Sequence, residues 1–189
     1  GLEEPTALAA RQRLIHLLAA VETNDDLAGV TNAGLFATHY LATSARERAD
    51  WGEQVAAAQP LLALRSSELI KGLGYQSEGL GAGALLLSTT EGSAHAVAVL
   101  MTDREGFDAA TASLGASPVQ YGLAKAHQER VPWLIVLRGA QIRLYPVRPD
   151  FGVGRRSQAE TYLELDLSVV DDRSEGFLPL IFAAGSLDE

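Results

Sequence analysis

The sequence has 189 residues, of which 47% are apolar and 21% are charged, a composition that is ordinary for a soluble globular domain. The net charge of −9 argues against a chain that binds nucleic acid over its whole surface. The lack of cysteine excludes disulfides and thiolate metal sites and agrees with a cytoplasmic location, and no apolar run reaches the length of a membrane span.

The first part of the chain is predicted to be helical. The spacing of apolar residues predicts three helices, over residues 5–22, 51–58 and 61–73. Pro60 ends the second helix, and Gly74 caps the third. Residues 31–41 show no clean period, so a loop or a short helix is expected there. We therefore assign residues 1–60 to an N-terminal helical segment that packs on a core formed by residues 61–189.

The rest of the chain is dominated by strands. Five runs of strand length are predicted, over residues 82–88, 94–102, 131–137, 142–147 and 161–167. An amphipathic helix begins at Pro118, between the second and third runs, and a short apolar helix is predicted over residues 177–184. In the fourth run, Ile142, Leu144 and Pro146 alternate with Arg143, Tyr145 and Val147. One face of this strand is therefore expected to be wetter, that is, more exposed to solvent, than the other. This order predicts an α/β or α+β fold, in which a mixed sheet of about five strands is flanked by helices.

The glycine-rich stretch at residues 79–83 precedes the first predicted strand. No Lys-Ser or Lys-Thr pair follows it, and a strand rather than a helix comes next, so it does not fit a phosphate-binding loop. We expect these glycines to form a turn or a bulge.

Short motifs run in order through the chain from about Thr31 to its C-terminus. They read LFATHYL at 35–41, Trp51, LGY at 73–75, Gln120, VPW at 131–133, RLY at 143–145, YLELDL at 162–167 and LIFAAGSL at 180–187. As an ordered set they resemble the PD-(D/E)XK restriction-endonuclease fold. More narrowly, they resemble the N-terminal region of large bacterial DNA methyltransferases of the type IIG restriction–modification kind and of related phage-defence systems. The resemblance implies a fragment of a longer protein whose methyltransferase part uses S-adenosylmethionine.

The positions that correspond to the catalytic residues of that family carry no charge in this chain. The family's metal-binding Asp corresponds to Ala82, and its Glu-x-Lys corresponds to Val99 and Met101. Carboxylate oxygens are what holds Mg²⁺ beside a phosphate, and apolar side chains cannot replace them. Gln120 alone remains from the family's helix motif, whose Tyr corresponds to Ala124. The resemblance therefore implies a degenerate active site without a cofactor.

Two polar groups offer other chemistry. Asp103, Glu105 and Asp108 follow the second predicted strand and are candidate metal ligands that have moved from the usual positions, although an acidic loop is more often only solvated. Five arginines lie in or after the later hairpin, and guanidinium groups suit DNA phosphates: Arg138, Arg143, Arg148, Arg155 and Arg156. Pairing of these arginines with acids such as Asp150 and Glu160 is the alternative, and the two interpretations have similar weight.

Three functions follow from these observations. The first is a non-catalytic restriction-endonuclease-like domain that positions DNA or docks a methyltransferase or partner subunits. The second is a metal-dependent DNA endonuclease that uses Mg²⁺ and the relocated acids. The third is a protein-interaction module that makes no DNA contact. None of the three involves a membrane.

Overall fold

The computed structural model describes residues 27–147 and 158–187 of the chain. The helix predicted over residues 5–22 lies outside these ranges, as do three of the candidate DNA-contacting residues, Arg148, Arg155 and Arg156.

The described residues form a mixed α/β fold around one seven-stranded sheet with the order β1-β7-β6-β5-β4-β3-β2. The strands are β1 (Val30–Ala33), β2 (Gln76–Gly81), β3 (Ala84–Ser88), β4 (Ala94–Met101), β5 (Trp133–Arg138), β6 (Gln141–Pro146) and β7 (Tyr162–Asp166). Only β4 and β5 pair in parallel, and the other neighbours are antiparallel. Parallel neighbours need a crossover connection, which here runs through a loop and a helix.

Helices cover both faces of the sheet. They are α1 (Trp51–Ala58), α2 (Ser66–Gly72), α3 (Pro118–Glu129) and α4 (Phe177–Phe182), with a π-helical turn at Tyr40–Ser44 and 3₁₀ turns at Gln59–Leu61 and Gln158–Glu160. Side chains of α2 and α4 join one apolar core, and those of α3 join a second core on the other face. Neighbouring residues of β4 belong to different cores, as Ala98 and Val99 do, because successive strand residues point to opposite faces.

The prediction of about five strands was wrong, since the sheet has two more. Both additional strands are edges, and their sequences carry no apolar alternation: VTNA in β1 and QSEGLG in β2. An edge strand pairs on one side only, so pairing with β7 or β3 holds it in place without an apolar pattern of its own. β1 pairs with β7 and so brings residues 30–33, from the predicted N-terminal helical segment, into the same sheet as the core.

The turn predicted at residues 79–83 is confirmed. The pairing of β2 with β3 shifts register between Gly79 and Gly81, and Gly81, Ala82 and Gly83 all have positive φ. The helix predicted over residues 61–73 is shorter than expected, because α2 begins only at Ser66. Arg65 donates two hydrogen bonds from Nη1 to the carbonyls of Leu62 and Leu64, and so closes the turn that precedes α2.

The predicted wetter face of the strand at residues 142–147 is found only at its start, where Gln141 and Arg143 are half-buried beside buried neighbours. Tyr145 is fully buried, and only 13% of the Arg143 side chain is exposed. The reason is long-range, because β6 is an interior strand and its second face is covered by Phe107, which lies far away in the sequence.

Candidate functional site

A small cleft lies where β4 ends and the chain crosses over to α3. The connection consists of residues 102–116, which we call the crossover loop. The cleft has a volume of about 160 Å³. Its lining residues are Ala82, Val99, Leu100, Met101, Glu105, Ser113, Leu114 and Pro118. The three positions predicted to be degenerate catalytic positions, Ala82, Val99 and Met101, therefore meet in one place.

The local fold explains this meeting. The turn between β2 and β3 brings Ala82 beside β4, where Leu100 donates its backbone N–H to the carbonyl of Gly83 at 2.9 Å. Val99 and Met101 are two residues apart on β4, so both face α3. The parallel pairing of β4 with β5 places this end of β4 beside the end of β5, which is where crevices form in α/β sheets.

The chemistry of the cleft is poor in metal ligands. Glu105 is its one lining carboxylate. Oε2 of Glu105 accepts the N–H of Thr102 at 2.9 Å and the Thr102 hydroxyl at 3.1 Å, so it closes a local turn. Mg²⁺ is held mainly by several oxygen ligands together. Within residues 27–147 and 158–187, no group of three or more His, Cys, Asp or Glu residues could hold a metal ion.

The three candidate metal ligands, Asp103, Glu105 and Asp108, lie in different surroundings. The backbone carbonyl of Asp103 accepts Nη2 of Arg138 at 3.0 Å. The Asp103 carboxylate lies against the β5–β6 turn, where a Cβ atom added to Gly139 would be 2.7 Å from Oδ1. Asp108 is exposed to solvent, whereas Glu105 lines the cleft. Among these three residues, the described structure thus brings only Glu105 to the cleft.

Gln120 takes part in the N-terminal cap of α3. Its backbone N–H donates to Oγ of Ser117 at 3.2 Å, and its side-chain Oε1 accepts the N–H of Ser117 at 3.4 Å. This reciprocal pair is a capping box, which satisfies two backbone donors at the helix end. The spacing Ser-x-x-Gln is visible in the sequence, and it was missed as a cap because Gln120 was interpreted as a remnant of catalysis.

Arg143 lies in a cage of aromatic and polar groups. Its guanidinium carbon is 3.7 Å from the ring centroid of Phe107 and 4.1 Å from that of Tyr162. Nε donates to Oε1 of Glu164 at 2.7 Å, and Nη1 donates to the Tyr145 hydroxyl at 3.0 Å. The side chains of Arg143 and Glu164 are only 13% and 11% exposed. We call these five residues the arginine cluster.

Burial and hydrogen bonding have opposite effects on the pKa of Arg143 in the arginine cluster. Burial disfavours the charged guanidinium, but the hydrogen bonds to Tyr145 and Glu164 outweigh it, so the pKa of Arg143 is raised. Burial also raises the pKa of the Tyr145 hydroxyl, which therefore stays neutral and accepts the bond from Arg143. The cluster is thus a buried ion pair whose cation also lies over two aromatic rings.

The candidate arginines consequently differ in their surroundings. The Arg143 guanidinium contacts two aromatic rings and donates two side-chain hydrogen bonds. Its acidic partner is Glu164, whereas Asp150 and Glu160 were the acids considered from the sequence. Arg138 is half-buried at the end of β5, and its guanidinium carbon is 5.7 Å from the ring centroid of Phe107. A DNA contact by either residue stays a prediction.

A second cavity of about 330 Å³ opens at the same end of the sheet. Its lining residues are Arg65, Ser66, Met101, Thr102, Asp103, Leu137 and Gly139. Met101 lines both cavities, so the two lie side by side at the carboxyl ends of the parallel pair. Together they give this end of the sheet its recessed surface.

No protein-family model matches this sequence, and no curated protein or solved structure matches it either. Among the residues that the structure describes, no helix is both long and apolar enough to cross a membrane.

Proposed function

We propose that this chain is a non-catalytic, restriction-endonuclease-like domain of a bacterial DNA-modification or phage-defence protein, where it positions DNA or docks a methyltransferase. The observation that supports the proposal best is the meeting of Ala82, Val99 and Met101 in one cleft. These positions were selected by resemblance alone. Val99 and Met101 lie close together on β4, and the antiparallel pairing of β3 with β4 brings Ala82 to them. A shared ancestral site in this hairpin would give the same arrangement.

The chemistry of this cleft favours a domain that binds rather than cleaves. Hydrolysis of a phosphodiester by metal ions needs several oxygen ligands around the reacting phosphate. Ala82, Val99 and Met101 supply none, and Glu105 is engaged by Thr102. S-adenosylmethionine would belong to the methyltransferase part of the full protein, and this domain itself would need no cofactor.

Contact with DNA would come from the candidate arginines other than Arg143. Arg138 lies at the carboxyl end of β5, and Arg148, Arg155 and Arg156 lie outside the described residues. Guanidinium groups bind phosphate oxygens with two hydrogen bonds. The net charge of −9 would confine such contact to one local surface.

Two other functions each have one observation in their favour. Glu105 lines the same cleft as the degenerate positions, which favours an endonuclease that has relocated its acids, including Asp103 and Asp108. The acidic net charge favours a protein-interaction module without DNA contact. We rank both behind the first proposal, because the three acids do not form a metal-holding group in the described structure.

Salt-dependent DNA binding tests the proposal. We expect the chain to bind duplex DNA at about 50 mM salt and to lose affinity steeply towards about 200 mM, because each neutralised phosphate releases counterions. The double variant Arg155→Ala/Arg156→Ala should lower the slope of log K against log salt by about 2. The measurement is the fluorescence anisotropy of a labelled duplex.

Arg173→Ala is the matched control for this titration. Arg173 is exposed and is not one of the candidate DNA-contacting arginines, so its removal changes the net charge and leaves those arginines in place. An equal loss of slope in Arg173→Ala would indicate non-specific attraction. No binding at low salt would contradict the DNA role and favour the protein-interaction module.

A further inference from the structure

The crossover loop forms one wall of the cleft, and one of its residues is buried. Glu105, Ser113 and Leu114 of the loop line the cleft. Among its residues, 102–116, only Phe107 is buried, with 6% of its surface exposed. The loop therefore has a single apolar anchor between two attached ends.

That anchor rests on the arginine cluster. The Arg143 guanidinium carbon lies over the Phe107 ring, 3.7 Å from its centroid, and over the Tyr162 ring, 4.1 Å from its centroid. Glu164 fixes the plane of the guanidinium through Nε, so the surface presented to Phe107 is held rigidly. A guanidinium group stabilises a buried aromatic ring more than an aliphatic side chain does. It adds a cation–π attraction to the apolar burial of the ring.

The backbone supports the same closed position. The N–H of Val119, on the first turn of α3, donates to the carbonyl of Phe107 at 3.3 Å. Most other backbone hydrogen bonds of the loop stay within it, such as that from Gly115 N–H to the carbonyl of Thr111 at 3.0 Å. Phe107 thus links the loop to the first turn of α3 through its backbone as well as through its ring.

We propose that the crossover loop is a lid over the cleft and that the stack of Phe107 on Arg143 is its latch. Arg143 is then a positioning residue, because it acts on the cleft through the loop. When the latch opens, the wall formed by Glu105, Ser113 and Leu114 moves away from Val99 and Met101 on the floor. Glu105 and Asp108 move with the lid, whereas Asp103 stays beside the β5–β6 turn, where its carbonyl accepts Nη2 of Arg138. The state of the lid therefore sets where Glu105 and Asp108 lie relative to the cleft.

Amide hydrogen exchange of the complete chain tests this latch. In Phe107→Leu, which keeps an apolar anchor but loses the ring, we expect the amides of the crossover loop and of Val119 to exchange about tenfold faster. In Arg143→Lys, which keeps the charge but loses the flat face, we expect an increase of similar size. The amides of β5 are the internal reference and should keep their wild-type rates.

Phe36→Leu is the matched control, since Phe36 is a half-buried ring that stacks on Tyr40 at 5.8 Å, away from the lid. It should leave exchange in the crossover loop unchanged. Equal acceleration of the loop and of β5 would show global destabilisation and overturn the latch, as would unchanged loop exchange in both latch variants. Opening is measured without DNA, so a failure to open is distinguishable from a failure to bind DNA.

Discussion

Replacement of Glu164 with alanine is expected to lower the free energy of unfolding by about 3 kcal/mol, because it leaves a buried guanidinium without its counter-ion. Arg143 and Glu164 lie on the neighbouring strands β6 and β7, directly opposite each other in the pairing register. Both side chains are less than one-sixth exposed. Water therefore cannot replace the lost carboxylate. The measurement is urea denaturation followed by circular dichroism, in which the midpoint should fall at constant slope.

A surface ion pair of similar geometry provides the control. Nε of Arg48 is 2.8 Å from Oδ1 of Asp50, against 2.7 Å for the buried pair, but Arg48 and Asp50 are 47% and 33% exposed. The hydrogen bond from Arg48 lowers the pKa of Asp50 to about 2, yet solvent screens this pair. Asp50→Ala should leave the urea midpoint essentially unchanged.

A double variant separates the contribution of the two charges to stability from the contribution of side-chain packing. Arg143→Met/Glu164→Leu removes both charges and keeps most of the volume, so it should recover most of the stability lost in Glu164→Ala. Wild-type stability of Glu164→Ala would contradict the description of the arginine cluster as a buried pair. A double variant no more stable than Glu164→Ala would show that the cage needs the ion pair itself.

The second large effect is expected at Gly122, where α3 lies closest to the sheet. A Cβ atom at this position would be 2.6 Å from Cδ1 of Leu134 and 2.9 Å from Cγ2 of Val99. Gly122→Ala should therefore lower the free energy of unfolding by about 2 kcal/mol, since the overpacking exceeds the gain of about 1 kcal/mol in helix propensity. Val99 also lines the cleft, so the substitution should disturb its floor.

Gly52 is the matched control, because it is a helical glycine with no atom within 4 Å of an added Cβ. Gly52→Ala should raise the free energy of unfolding by about 0.5 kcal/mol through helix propensity alone. Glycine-to-alanine substitution is therefore expected to change the free energy of unfolding in opposite directions at these two positions. Equal stabilisation by both variants in urea would contradict the close seating of α3 on β4 and β5.

Elements held by local interactions were predictable from the sequence, and elements held by distant partners were not. The strands β3 to β7 were predictable, since each is an apolar or alternating run whose pattern is local. The edge strands β1 and β2 were not, because partner strands hold them rather than any pattern of their own. The turn at residues 79–83 was predictable because glycine is the residue that favours positive φ.

Some features of the candidate site were likewise predictable from the sequence, and others were not. The hairpin of β3 and β4 brings Ala82 to Val99 and Met101, and the resemblance selected these three positions from the hairpin. The capping box of Gln120 was visible in the spacing to Ser117. The arginine cluster was not, since Phe107 reaches Arg143 from a loop and Glu164 reaches it from β7. No local pattern distinguishes an arginine that will be buried from one that will face DNA.

The most direct test of the central claim is the incubation of the wild-type chain with supercoiled plasmid DNA and Mn²⁺ at a low salt concentration that supports DNA binding. The proposed non-catalytic role predicts a retarded plasmid that returns to its supercoiled mobility once the protein is removed. Nicked or linear DNA whose formation is abolished by Asp103→Ala would contradict it, because the relocated acids would then be at work in an active nuclease.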